Sequence, residues 1–178
     1  MKRTDFTDMF CPIARSLGRV GEWWSILILR EAMYGATRFD EFEKNLKIAP
    51  NMLARRLSDL VAAGLLERRQ YCARPPRFEY VLTEAGAAFQ PVLLAFVKWG
   101  NDYFSPAGPS VLLVDRTSGQ PVSPLLVDEH TGIPLTQDNV KFVAGPGASD
   151  SMTLRLIEAA RRSDALRAAP MADIEAGR

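Results

Sequence analysis

Between Ile48 and Ala63 the apolar residues Leu53, Leu57, Leu60 and Val61 recur at helical spacing and share one face, which must point into a core. The opposite side carries Asn51, Arg55 and Ser58, while Arg56 falls at the boundary, where a long side chain can reach sideways. Pro50 suits a first helical position, because the N–H it lacks would have no partner there. Gly64 suits the left-handed residue that closes a helix. A bounded helix over residues 50–63 is therefore predicted. Residues 65–71 and 78–82 follow as strands, the second with Phe78, Tyr80 and Leu82 on one face, joined by the basic turn of residues 73–77.

Upstream, Phe39, Phe42 and Leu46 mark an amphipathic helix over residues 38–46, which with the helix from Pro50 makes a helix-turn-helix pair. Residues 22–34 place Trp23, Trp24, Ile26, Leu27, Ile28, Leu29 and Met33 almost all round a helix that ends at Gly35. Such a helix is predicted to be buried, its tryptophans packing rather than lining a ligand pocket. Arg30 then needs an acidic or carbonyl acceptor if it is covered. Pro12 opens a short helix to about residue 17, with Cys11 at its N-cap, and residues 1–9 read as a polar arm with Phe6, Met9 and Phe10 available to a neighbour.

Thr83 caps a long helix running to about residue 103 and kinked at Pro91, with Phe89, Leu93, Phe96, Val97, Gly100 and Tyr103 in one stripe. A helix placed after the second strand has little of its own domain left to cover. The stripe is therefore expected to form a dimer interface through Phe89, Leu93, Phe96, Val97 and Tyr103, with ordinary core as the other reading.

Residues 105–110 are a linker by composition. Beyond it, Leu-Leu-Val-Asp-x-x-Ser/Thr-Gly-x-Pro occurs twice, at residues 112–121 and 125–134. Each copy predicts a short strand leading into a tight turn, with a third strand around residues 140–143 and a turn at residues 145–147. The spacing of Asp115 to Ser118 and of Asp128 to Thr131 mimics zinc-ribbon knuckles without their cysteines. His130 alone supplies no metal site and reads as an exposed turn residue. Residues 151–166 give a final helix through Leu154, Ile157 and Leu166, and the last dozen residues read as frayed.

The expected fold class is α+β: a winged helix-turn-helix domain over residues 1–104 with terminal dimerisation helices, the linker, a small β-rich unit over 111–148, and a helix with its tail over 149–178.

Charge sharpens this picture. The chain is +1 overall, yet residues 44–77 hold eight basic residues against Asp59 and Glu67, a local +6. A polyanion held there would bind through phosphates and in a salt-sensitive way. The candidate contacts are Pro50, Asn51, Met52, Arg55, Arg56 and Ser58 on the helix, with Arg74 and Arg77 presented by the proline-stiffened turn. A merely solvated charged surface is the alternative. The 178 residues are 47 % apolar, enough for one well-buried domain and an appendage. No run approaches the roughly 20 apolar residues that span a bilayer, and no secretory signal opens the chain, so a cytoplasmic protein without membrane contact is expected.

Cys11 and Cys72 make no disulfide framework. Cys11, beside unpaired backbone N–H groups, is a candidate redox or electrophile sensor, with a small half-buried structural residue as the other reading. Cys72 reads as an incidental thiol. One histidine, no glycine-rich phosphate loop and no nucleophile beside a base argue against an enzyme, and no cofactor is expected.

Cys11-Pro12, Gly21-Glu22-Trp23, Ile28-Leu29-Arg30-Glu31, Arg38-Phe39-Asp40-Glu41, Arg56-Leu57, Gly64-Leu65, Pro75-Pro76 and Leu82-Thr83-Glu84-Ala85-Gly86 together resemble the HxlR-type family of winged helix-turn-helix regulators, relatives of the MarR-like repressors. The resemblance covers about residues 10–104. It implies a homodimer with terminal helices in its interface, the helix from Pro50 in the major groove of double-stranded DNA, a palindromic site, and repression relieved by a small molecule or thiol-reactive signal. Two departures stand out. The usual Gly-Lys-Trp is Gly21-Glu22-Trp23, and the usual Ile-Ser is Ile48-Ala49. The competing expectation is a protein-binding module with the repeat-bearing tail as its recognition surface.

Overall fold

The computed structural model describes Met9 and residues 11–168. The arm contacts expected of Phe6 and Phe10, and the tail beyond residue 168, lie outside the described residues. Two units form, one containing residues 16–125 and one joining residues 11–15 to 126–168.

Helix α1 (Pro12–Val20) is divided between the units, and in the first unit the helices α2 (Trp23–Met33), α3 (Phe39–Leu46) and α4 (Pro50–Ala62) precede the antiparallel hairpin of β1 (Leu66–Ala73) and β2 (Pro76–Leu82). Helices α5 (Glu84–Ala87) and α6 (Gln90–Phe104) follow. The core gathers where α2, α3, α4 and β1 meet, with Ile28, Leu29, Phe42, Leu53, Leu57, Leu60 and Leu66 fully buried. Each contributes about 1.5–3 kcal/mol of transfer free energy. This is the winged helix-turn-helix, α+β arrangement that the sequence predicts.

Three residues turn α3 into α4. Lys47 takes the left-handed conformation (φ 51°), and the buried Ile48 anchors the turn to the core. Gly64 (φ 72°) ends α4 as its position suggests, because a residue with Cβ pays for that conformation. The Thr83 hydroxyl donates to the Gly64 carbonyl at 2.6 Å and accepts from the Gly86 amide at 3.1 Å, while the Thr83 amide donates to the Leu65 carbonyl at 3.1 Å. The far side of the hairpin is also tied down. Arg38 bridges Glu79, and the Tyr80 amide donates to the Thr37 carbonyl at 2.7 Å, fixing β2 to the start of α3.

Four expectations change. Helix α2 is not buried all round: its covered stripe runs through Ser25, Ile28 and Leu29, and Trp23 in the opening turn lies off it, 74 % exposed. The kinked helix of residues 83–103 is instead two helices. Pro91 cannot donate to the carbonyl of residue 87, so α5 ends at Ala87 and the proline sits in the first turn of α6. The wing strands run further and the turn is shorter than expected. Ala73 pairs with Pro76, leaving Arg74 and Pro75 at the tip.

The fourth change concerns the repeats. In the first unit β3 (Leu113–Val114) pairs with β4 (Pro121–Val122), so the first copy closes on itself. In the second unit the second copy does the same through a single bridge, Val127 to Pro134. No strand forms at residues 140–143 among the described residues, and each copy pairs only within itself.

In each copy one aspartate holds the turn. Asp115 Oδ1 accepts from the Thr117 amide, the Ser118 amide and the Ser118 hydroxyl at 3.1, 2.8 and 2.8 Å. Asp128 Oδ1 accepts from the His130 amide, the Thr131 amide and the Thr131 hydroxyl at 3.0, 2.8 and 3.0 Å. Helix α7 (Asp150–Ala168) completes the second unit, in which no residue of 126–165 is buried.

Candidate nucleic-acid interface

The face of α4 opposite Leu53, Leu57 and Leu60 presents Asn51, Met52, Arg55 and Ser58 to solvent, with Pro50 exposed at its start. These are the polar and long side chains expected there. They sit on a helix held by three fully buried leucines, so their spacing is fixed by packing. No side chain caps the helix at Ala49, as the loss of the usual serine implies.

Arg56 departs from the expectation. It is 5 % exposed and lies on the core side, because it follows Leu53 by three residues and precedes Leu60 by four. Its Nη1 donates to Asp59 Oδ2 at 3.0 Å and its Nη2 pairs with Glu22 Oε2 at 3.2 Å. Arg56 is therefore a buried tie and not a solvent-facing contact. Glu22 was not among the candidate site residues. The signal was its departure from the Gly-Lys-Trp pattern, an acidic residue where the chain holds a buried arginine.

On the wing, Arg74 and Arg77 are exposed at and beside the tip. Arg68 lies over the Phe78 ring at 3.5 Å and Arg38 over the Tyr71 ring at 4.9 Å, so aromatic faces hold two further cations in place. Arg69 is spoken for. It pairs with Glu67 at 2.8 Å, holding that carboxyl below its usual range while the arginine itself is raised. With Arg56 and Arg69 engaged, the exposed positive field comes from Lys44, Lys47, Arg55, Arg68, Arg74 and Arg77.

Two acids brace these helices, Glu31 buried and Glu41 half-buried. Glu31 accepts from Arg30 Nη2 at 2.7 Å and from Asn45 Nδ2 at 2.9 Å, joining α2 to α3 and supplying the acceptor that Arg30 needs. Glu41 accepts from the Thr37 and Arg38 amides at 2.8 and 2.9 Å, which lowers its pKa and closes the start of α3.

The stripe on α6 divides. Leu93 is buried, and Phe89, directly before α6, packs on the unit's own core. Val97 is half-buried, while Phe96 and Tyr103 are exposed. Trp99 and Phe104, which the stripe omitted, are exposed beside them with rings 4.8 Å apart, edge to face. Cys11, directly before α1, and Cys72 are free half-buried thiols, and His130 is exposed in its turn. No cluster of metal-ligating side chains occurs among the described residues.

The model of the HxlR-like helix-turn-helix family matches residues 19–107, which span α2 through α6. The chain belongs to this family. It is 40 % identical over 136 residues to the HTH-type transcriptional regulator Rv3095 of Mycobacterium tuberculosis (strain ATCC 25618 / H37Rv), covering 76 % of this chain and 86 % of the relative.

Among solved structures it is similar to two candidate transcription factors. PA1607 matches with a TM-score of 0.73 and 41 % identity, covering 80 % of this chain and all of that one. PA1374 of Pseudomonas aeruginosa matches with a TM-score of 0.60 and 55 % identity, covering 82 % of this chain and all of that one. This HxlR-family chain is thus a transcriptional regulator with a helix-turn-helix DNA-binding domain. No helix among the described residues is long and apolar enough to cross a membrane.

Proposed function

We propose that this HxlR-family regulator is a repressor that binds a palindromic duplex as a homodimer. Asn51, Met52, Arg55 and Ser58 read bases in the major groove from α4, Pro50 lies at the entry of that helix, and Arg74 and Arg77 of the wing grip phosphate or the minor groove. The observation that carries the reading is the outward face of α4, polar and exposed on a helix whose other side is locked into the core. The exposed aromatic residues toward the end of α6, Phe96, Trp99 and Tyr103, support pairing with a second copy.

The test is fluorescence anisotropy with fragments of the gene's own upstream region and a random duplex at low and high salt. Selective binding weakened by salt is expected. Binding that ignores sequence would remove the reading.

The release signal assigned to the protein is a small thiol-reactive electrophile at Cys11, supported by a free thiol next to the start of α1. If Cys11→Ser leaves release by N-ethylmaleimide unchanged, that assignment falls. A second reading, a protein-binding module that uses its tail, draws support from Phe142 and Leu154, 79 % and 63 % exposed in the second unit. It requires that the intact protein show no salt-dependent duplex binding.

A further inference from the structure

We infer that Glu22 is a positioning residue for sequence-specific DNA binding, acting through Arg56 on the reading helix; this rests on the α4 reading proposed above. Glu22 immediately precedes α2 and makes no cap there: its side chain accepts no bond from the opening amides of that helix. Its carboxylate instead reaches Arg56 Nη2 at 3.2 Å, across to the middle of α4. Asp59, on α4 itself, takes Nη1 at 3.0 Å. The Arg56 side chain is 7 % exposed and its Nε is buried without a hydrogen-bond partner, so the two carboxylates are what hold this guanidinium in place.

The partners differ in consequence. The bond to Asp59 stays within one helix and sets no angle between elements. The bond to Glu22 joins two elements. Arg56 adjoins Arg55 and lies two residues from Ser58, so a change in how Arg56 seats turns the reading face relative to α2. Bidentate recognition of a base edge tolerates little displacement, whereas phosphate contacts made by flexible cations tolerate much. Loss of Glu22 should therefore lower specific binding and leave non-specific binding nearly as it was.

The expected sign separates this role from simple charge. Removing a carboxylate near a polyanion strengthens binding by electrostatics alone, so a positioning role predicts the opposite change.

The experiment measures affinity of the full chain for its upstream fragment and for a random duplex across a salt series, in wild type, Glu22→Gln, Arg56→Met and the double variant. Thermal melting verifies folding. Glu22 is partly exposed, so its glutamine variant retains the fold, and Arg56→Met leaves two carboxylates that both reach water.

Glu22→Gln should weaken the specific complex by about tenfold, the scale of one lost base contact, and change random-duplex affinity less than about twofold at the same salt slope. Its effect should vanish in the Arg56→Met background. Specific affinity that is unchanged or tighter in Glu22→Gln, or equal losses on both duplexes, overturns the inference while the wild type still reads its site. A wild type without selectivity overturns the α4 reading, and the role of Glu22 with it.

Discussion

The winged unit and the tail unit keep their shapes by different means. In the first, seven side chains are fully buried where three helices and a strand converge. In the second, no residue of 126–165 is buried, and the knuckle at Asp128 is built from a carboxylate, two amides and a hydroxyl. Apolar burial is non-directional but large, so it fixes the angles between elements. A polar turn is directional but small, so it fixes only its own few residues. An interface that must hold several side chains in register to a duplex accordingly sits on the unit with the core.

The sharpest test of this contrast is truncation. Leu57→Ala should destabilise the winged unit by about 2–5 kcal/mol in denaturant unfolding, whereas the much-exposed Phe142→Ala should change stability by less than about 0.5 kcal/mol. Similar losses would show that the tail has a core of its own.

The second test moves from stability to recognition. Arg55→Ala should weaken specific binding by about 1–3 kcal/mol, while Arg74→Ala at the wing tip should weaken all duplexes alike and reduce the salt slope by about 1. Equal behaviour of the two would merge the roles given to helix and wing.

A smaller effect is expected at Thr83. Thr83→Ala removes the α5 cap and should cost about 1 kcal/mol in the same unfolding experiment.

The smallest effect is a titration. Hydrogen bonds from Ser118 and Thr131, amide and hydroxyl alike, hold Asp115 and Asp128 below the usual 3.8. Folded values below the unfolded one mean the contribution is fully present above pH 3.8 and disappears as pH falls through the lower folded value. The Ser118 and Thr131 amide resonances should therefore shift only at pH below 3.8. Titration at the ordinary value would mean that the turns do not close in solution.

Much of the first unit was legible in the chain. Pro50 and Gly64 punctuate α4, and leucines at helical spacing mark its inner face, so the helix and its exposed residues follow from periodicity alone. Arg56 was misplaced by a preference for solvent that its position overrides: charge suggested the surface while the spacing from Leu53 and Leu60 indicated the interior. Its partner Glu22 lies just before another helix, and local patterns do not report such pairs. Pro91 announced an interruption but not its depth, since a kink and a break both begin with the same missing N–H. The run at residues 140–143 is apolar enough to suggest a third strand, and the sequence does not say that each repeat copy pairs only within itself.

The clasp at Thr83 has a consequence for how such a regulator can change. The hairpin departs after Leu65 and returns at Thr83, and these residues are hydrogen-bonded to each other at 3.1 Å. Everything between them is an excursion from a closed ring. The wing can be lengthened, shortened or recharged at Arg74 and Pro75 while the junction of α4 with α5 stays put, so it behaves as an interchangeable tool head on a fixed handle.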